Sequence, residues 1–186
     1  MHKRLTGTAL QLGASGAAVI RVEQISFRPE FRAACEQNTC GQYARCWMCP
    51  PDVGEVDDLI TQAKRYEYAL IFQSVGQLED SFDIEGMLEA GKKHNELTLA
   101  IDREIAALYG DFLRLGAGGC RVCEVCAKAD NLPCRSPRRA TASLEAYGVA
   151  VSELAEACGL KYMGSQNTVT YFGGFLFGRV EAEDLG

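Results

Sequence analysis

The cysteines are the residues of this chain most suited to chemistry, because eight of the nine fall into two tight groups. The first group has the spacing Cys-x4-Cys-x5-Cys-x2-Cys, and the second has the spacing Cys-x2-Cys-x2-Cys-x7-Cys. Closely spaced thiolates of this kind surround 4Fe-4S clusters. The sequence therefore predicts two metal sites, each most simply an iron-sulfur cluster. Their ligands would be Cys35, Cys40, Cys46 and Cys49 in the first quartet, and Cys120, Cys123, Cys126 and Cys134 in the second.

Zinc is the main alternative to iron. Structural zinc sites favour two separate Cys-x2-Cys pairs that hold the ion from two sides. Neither quartet has this form, because the first contains a single such pair and the second has three cysteines at two-residue gaps. The second quartet resembles a bacterial ferredoxin motif, although Cys134 lies further along the chain than in that motif and precedes Arg135 instead of proline. Clusters are favoured, and zinc remains the alternative.

Disulfide bonds and a membrane span are both disfavoured. Nine is an odd number of cysteines, and the residues after Lys3 and Arg4 are too polar for the apolar core of a secretion signal. No stretch has the run of about eighteen apolar residues that a transmembrane helix needs. We therefore expect a cytoplasmic protein, in a compartment where thiols stay reduced.

Length and composition indicate one domain that folds around its own core. The chain has 186 residues, of which 47% are hydrophobic, so it can bury a core without help from a metal. We expect a single domain over residues 1–186, with cysteine loops at 35–51 and 120–139. The formal net charge of −6 argues against nucleic-acid binding, which depends on concentrated lysine and arginine.

The second cysteine loop reverses this charge balance. Between residues 114 and 139 only Glu124 and Asp130 are acidic, against six basic residues. This composition is typical of a solvated loop. Alternatively, the positive charges offset the negative charge of a cluster or dock an acidic redox partner. The basic residues are Arg114, Arg121, Lys128, Arg135, Arg138 and Arg139.

The order of periodic segments predicts an α/β sandwich with a mixed sheet. Helical patterns cover residues 5–12, 52–66, 84–109 and 143–157, the last interrupted near Gly148, and strand patterns cover 17–22, 68–75, 112–115 and 169–177. Both cysteine loops should therefore leave strand ends, where α/β proteins usually place their sites. The long helix carries its predicted buried stripe on Ile84, Met87, Gly91, His94, Leu97, Ile101, Ile105 and Leu108.

Glycines before the second quartet and two isolated side chains have simple interpretations. Gly116, Gly118 and Gly119 lack the following helix of a dinucleotide loop, so we expect them to let backbone N–H groups approach cluster sulfides. His94 lies on the apolar stripe and is expected to be a hydrogen-bonded core residue. Cys158 precedes a glycine at a helix end and is expected to be a small buried side chain.

Four polar or aromatic residues near the quartets have open roles. Tyr43 and Trp47 would shield the first site from water, or would simply pack. Glu145 and Tyr147 are a pair of polar residues near a predicted site, just after the basic loop. They would contact a substrate, or would cap a helix and form hydrogen bonds in the core.

A set of motifs spread along the chain accompanies the cysteines. They are Cys35, Cys40, Tyr43, Trp47, Cys49-Pro50-Pro51, residues 116–126, Cys134-Arg135-Ser136-Pro137, residues 143–148 and residues 169–173. With these motifs the chain resembles a family of bacterial and archaeal proteins of unknown function, labelled predicted metal-binding protein and frequent in anaerobes. The resemblance implies metal or iron-sulfur binding by seven of the eight grouped cysteines, all except Cys46, where the family usually has a polar residue.

Three classes of function follow from these observations. Two closed clusters would make an electron-transfer protein, which is the favoured interpretation. An iron with an open coordination position at the first loop would make a cluster-dependent redox or lyase-type enzyme, and zinc would make a stabilised interaction domain. Cys46 decides between the first two, and the Cys46-x2-Cys49 spacing favours it as the fourth ligand that closes the first site.

Overall fold

A five-stranded mixed sheet forms the centre of the computed structural model, which describes residues 2–179. The strand order is β1-β2-β5-β3-β4. Neighbouring strands are antiparallel, except that β3 and β4 run parallel. The strands are β1 (Gly16–Arg21), β2 (Tyr66–Gln77), β3 (Phe112–Gly116), β4 (Ala142–Ser143) and β5 (Thr168–Arg179).

Helices pack on both faces of this sheet. Leu70 and Phe72 of β2 face α1 and α4, whereas Ala69 and Ile71 of the same strand face α3 and α5, because successive side chains of a strand point to opposite faces. The predicted α/β fold with a mixed sheet is therefore confirmed. The helices are α1 (His2–Gln11), α2 (Ala33–Glu36), α3 (Val56–Ala63), α4 (Ile84–Ala106) and α5 (Val151–Ala157).

The long helix α4 follows the predicted stripe only in its central part. Its N-terminus is capped by Asp83, whose carboxylate accepts a hydrogen bond of 2.7 Å from the Gly86 N–H. The side chains that pack on the sheet lie between Ala90 and Ile105. Ile84 is 68% exposed and Leu108 lies beyond the helix end, so the prediction that both are buried was wrong. In the part of the chain that the structure describes, no helix is both long and apolar enough to cross a membrane.

Two predicted helices are shorter than their sequence patterns suggested, and both changes shape the cysteine loops. Residues 52–55 belong to the first loop, where Gly54 has a φ of +114° that helical residues do not adopt. Residues 143–157 divide into β4, a 3₁₀ turn at Glu145–Tyr147 and α5, because Gly148 takes a left-handed conformation with φ of +67°. This division places Glu145 on a turn that faces the cysteines.

Candidate metal centre

The two cysteine loops pack against each other as one unit. The second loop leaves the end of β3, as predicted, and returns at β4. The first loop instead begins at Cys35 on α2, so the prediction that it leaves a strand end was wrong. The Trp47 indole N–H donates a hydrogen bond of 2.8 Å to the Leu132 carbonyl, which joins the first loop to the second. Lys128 forms an ion pair with Asp52, and both side chains are largely buried. This ion pair was not foreseen from the sequence, since the two residues are distant along the chain.

Close approach of the loops explains Gly119. A Cβ atom at this position would lie 2.7 Å from Cγ of Gln42, a residue of the first loop, so a larger side chain would force the Gln42 side chain to move. The neighbouring Gly118 has a φ of +65°, which favours glycine. The glycines therefore let the two loops pack closely. The predicted approach of their backbone N–H groups to cluster sulfides is compatible with this packing.

Three cysteines of the first quartet line one cavity. Cys35, Cys40 and Cys49 surround a space of about 210 Å³ together with Glu145. Burial raises the pKa of the Cys35 thiol, and the nearby Glu145 carboxylate and Cys40 raise it further. The remaining lining residues are Thr39, Tyr43, Pro50, Gly118, Gly119 and Ser143.

All four cysteines of the second quartet line a second, smaller cavity. It measures about 20 Å³, enough for a single water molecule, so a cluster requires this loop to widen. The loop contains little regular structure besides a 3₁₀ turn at Ala127–Asp130, which makes such an adjustment inexpensive. The walls are mainly apolar and include Trp47, Met48, Val122, Ala127 and Ala140.

Cys46 lies between the two groups and not in the first cavity. Its side chain is fully buried, and it lines the second cavity. Its thiol lies beside those of both Cys49 and Cys120. The neighbouring Cys46 thiol lowers the pKa of Cys49, whereas the Cys46 thiol and burial raise the pKa of Cys120. The structure therefore groups the cysteines as three and five, where their spacing suggested four and four. Whether Cys46 binds metal stays a prediction.

Backbone N–H groups lie beside three of these sulfurs. They belong to Cys120, beside Cys49, to Met48, beside Cys46, and to Val122 and Thr141, beside the Cys120 sulfur. N–H groups that donate to a thiolate stabilise it and raise the reduction potential of a cluster that it binds.

The cysteine side chains line the walls of the two cavities and do not converge on one point. All nine cysteines are free thiols, so no disulfide competes for them. Within residues 2–179, no three histidine, cysteine or acidic side chains are arranged to hold one metal ion. The thiolates of a 4Fe-4S cluster each bind a different iron, so they line a cavity and do not converge on one point. Both cysteine-lined cavities meet this description.

The aromatic and polar residues near the quartets have different positions. Tyr43 lines the first cavity, but Trp47 lines the second, with the Lys128 ammonium 4.2 Å from its ring centroid. Glu145 lines the first cavity, and burial raises the pKa of its carboxyl. Tyr147 is instead a core residue, because its hydroxyl donates a hydrogen bond of 2.9 Å to Gln62.

Of the two isolated side chains, His94 behaves as expected and Cys158 does so only in part. His94 is buried, forms a hydrogen bond of 2.8 Å between its Nδ1 and the hydroxyl of Ser74, and stacks on Phe72. Burial lowers the pKa of His94 to about 4, so the imidazole is neutral at physiological pH. Cys158 packs against the hydrophobic core, although it is only partly buried.

The basic segment contributes fewer free charges than its composition suggested. Arg114 is buried and forms an ion pair with Asp102 of α4, and it also donates a hydrogen bond of 2.8 Å to the Arg139 carbonyl. Lys128 is held by Asp52. Two of the six cations therefore stabilise the loop from inside. The exposed cations are Arg121, Arg135, Arg138 and Arg139.

Fold and site together define an α/β protein that displays two adjacent cysteine-lined cavities at one edge of its sheet. The chain belongs to the family described as predicted metal-binding protein (DUF2284), which it matches over residues 18–177. This match confirms the resemblance seen in the sequence and supports metal binding. No curated protein and no solved structure shows a significant match to the chain.

Proposed function

We propose that this protein is an iron-sulfur protein that binds two 4Fe-4S clusters and transfers electrons. The observation that carries the proposal is the meeting of two thiol-lined cavities at Cys46, Cys49 and Cys120. Two clusters held there would be close neighbours, and electrons pass readily between neighbouring clusters. A bound cluster supplies a one-electron acceptor, whose potential the protein tunes through hydrogen bonds and burial.

The ligands divide according to the cavities. Cys35, Cys40 and Cys49 would hold the first cluster. The second cluster would be held by Cys120, Cys123, Cys126 and Cys134, with Cys46 as an additional thiol in the same wall. Zinc remains the competing metal, and in that case the protein would be a zinc-stabilised interaction domain.

Metal and sulfide analysis tests the proposal directly. Protein reconstituted without oxygen should contain about eight irons and about eight sulfides per chain, with a broad absorption near ~400 nm typical of thiolate-bound clusters. Chain concentration measured by amino-acid analysis is the control. Stoichiometric zinc without sulfide contradicts the proposal, and about four irons would mean that only one cavity holds a cluster.

The surface of the second loop is suited to an acidic redox partner. Arg121, Arg135, Arg138 and Arg139 are exposed there, and Val125 and Leu132 add apolar contact area. Exposed charges of one sign steer an oppositely charged protein and set the association rate. The apolar side chains then provide the short-range contact that holds the pair together.

Charge reversal on this loop should slow electron transfer. We expect Arg138→Glu combined with Arg139→Glu to lower the rate of reduction by an acidic ferredoxin about tenfold at low salt, with a smaller effect at high salt. Stopped-flow absorbance measures the rate. The matched control is Lys92→Glu with Lys93→Glu, an adjacent exposed pair on α4. Equal rates for both double variants contradict docking at the second loop.

A second candidate function is supported by the number of thiols in the first cavity. Three cysteines line this cavity, and Glu145 is the acidic residue beside them. A cluster held by three cysteines has an iron free to bind water or substrate, which allows Lewis-acid or reductive chemistry. The protein would then be a cluster-dependent redox or lyase-type enzyme, in which the second cluster delivers electrons to the first.

A further inference from the structure

A third cavity adjoins the first cysteine cavity. It measures about 230 Å³ and lies between β5, the N-terminus of α5 and the turn that carries Glu145. Gly118 and Glu145 line both spaces, so the two cavities have a common wall. A molecule in the third cavity would therefore lie beside the Glu145 carboxyl and close to the three thiols.

The far wall of this cavity is aromatic. Tyr162 and Phe172 are stacked, with ring centroids 6.2 Å apart and ring planes inclined by 28°. Tyr162 is 50% exposed, which leaves one face of the pair at the opening of the cavity. Ala117, Leu144 and Val151 complete the apolar lining. Stacked aromatic walls favour flat, unsaturated ligands.

One polar group in the cavity lacks a partner. The hydroxyl oxygen of Thr170 is buried and has no hydrogen-bond partner among residues 2–179. Buried hydroxyls in folded proteins are nearly always hydrogen-bonded. Because Thr170 belongs to the cavity wall, rotation about its χ1 would bring this oxygen to a ligand in the cavity. Together with Glu145, it gives the cavity two polar groups, while the hydroxyl of Tyr171 in the same wall donates to the Met87 carbonyl.

We propose that the third cavity is a binding site for a small, flat organic molecule with an amine or hydroxyl group that donates a hydrogen bond to Glu145. The unsaturated body would stack on Tyr162 and Phe172, and Thr170 would supply a second polar contact. A carboxyl group keeps an acceptor oxygen whether or not it is protonated, so Glu145 receives such a donor in either state. Anionic ligands would be disfavoured by Glu145 and by the thiolates nearby.

The proposal rests on the second candidate function, since the ligand would be the substrate of the open site. The volume is below the roughly 300 Å³ at which drug-sized ligand pockets begin, so the ligand is a small molecule. Benzylamine, benzyl alcohol and benzoate are suitable probes, because they share a ring and differ in the polar group. Saturation-transfer NMR on the reconstituted protein measures their binding, and paramagnetic broadening of the ring protons reports proximity to a reduced cluster.

Benzylamine and benzyl alcohol should bind, and benzoate should bind about tenfold more weakly. Val151→Trp fills the cavity and should abolish binding at unchanged iron content. Tyr162→Ala should weaken binding about tenfold, whereas Met163→Ala, which removes a neighbouring exposed side chain outside the cavity, should leave it unchanged. If Val151→Trp fails to fold, the comparison of Tyr162→Ala with Met163→Ala decides whether the probes bind in the third cavity.

The inference is overturned if no probe binds, or if Tyr162→Ala binds as the native protein does. These outcomes are independent of the proposed function. Iron and sulfide contents test the clusters, and saturation transfer detects probe binding to the chain whether or not it carries iron. Binding without paramagnetic broadening in a protein of full iron content also overturns the inference, because the site would then be distant from the clusters.

Discussion

Replacing Cys123 or Cys126 by alanine is expected to remove one cluster and leave the other. The remaining thiols of this short loop cannot supply four ligands, so about four of about eight irons should be lost. Paramagnetic resonance of the reduced protein should show one signal in place of two. The fold should survive, since neither residue belongs to the hydrophobic core. Far-ultraviolet circular dichroism measures this second expectation.

Cys46 provides the control for this experiment, because it lines the same cavity. If its thiol replaces a missing ligand, a residual second signal will remain in Cys123→Ala and disappear in Cys46→Ser combined with Cys123→Ala. Loss of both cluster signals in a single variant would contradict the division into two sites. It would mean that the contacts between the loops, such as the Asp52–Lys128 ion pair, make them one cooperative unit.

Cys46→Ser is expected to keep the full iron content. The second cavity already has four other cysteines, and Cys46 does not line the first. Cys49→Ser, the matched change at the other end of the same Cys-x2-Cys pair, should instead remove the first cluster. Cyanide should shift the spectrum of the native protein, because an iron with three cysteine ligands in its cluster has a free coordination position.

The opposite result would restrict the protein to electron transfer. If Cys46→Ser loses the first cluster and cyanide leaves the native spectrum unchanged, Cys46 is the fourth ligand, as its spacing from Cys49 suggested. Both clusters are then closed. The enzyme hypothesis and the substrate cavity would lose their basis, while the two-cluster electron carrier would remain.

Much of the fold was predictable because the local patterns were strong. The sequence predicted a helix from Ile84 to Tyr109, and α4 occupies Ile84–Ala106. The predicted strand at 169–177 is contained in β5, Thr168–Arg179. Errors occurred where one glycine changed the backbone, as at Gly54 and Gly148, because a left-handed residue interrupts a helical pattern that side-chain periodicity alone continues.

The candidate site was less predictable, because its geometry depends on contacts between distant segments. Tyr162 and Phe172 belong to a segment with no obvious link to the cysteines. Only β5 and the position of the turn at Glu145–Tyr147 bring them beside the first cavity. Lys128 illustrates the same limit, since a positive charge in a basic loop does not reveal that its partner is a buried aspartate.

By itself, the sequence determined that this is an α/β chain with clustered thiols suited to metal, because periodicity and cysteine spacing are local properties. Only the tertiary structure decided which of those thiols line the first cavity and which line the second. Packing of the loops turns Cys46 towards Cys120 and leaves three cysteines with Glu145 in the first cavity. Spacing along the chain limits which sulfurs can approach one another, but the cavity that each sulfur lines depends on which segments fold against it.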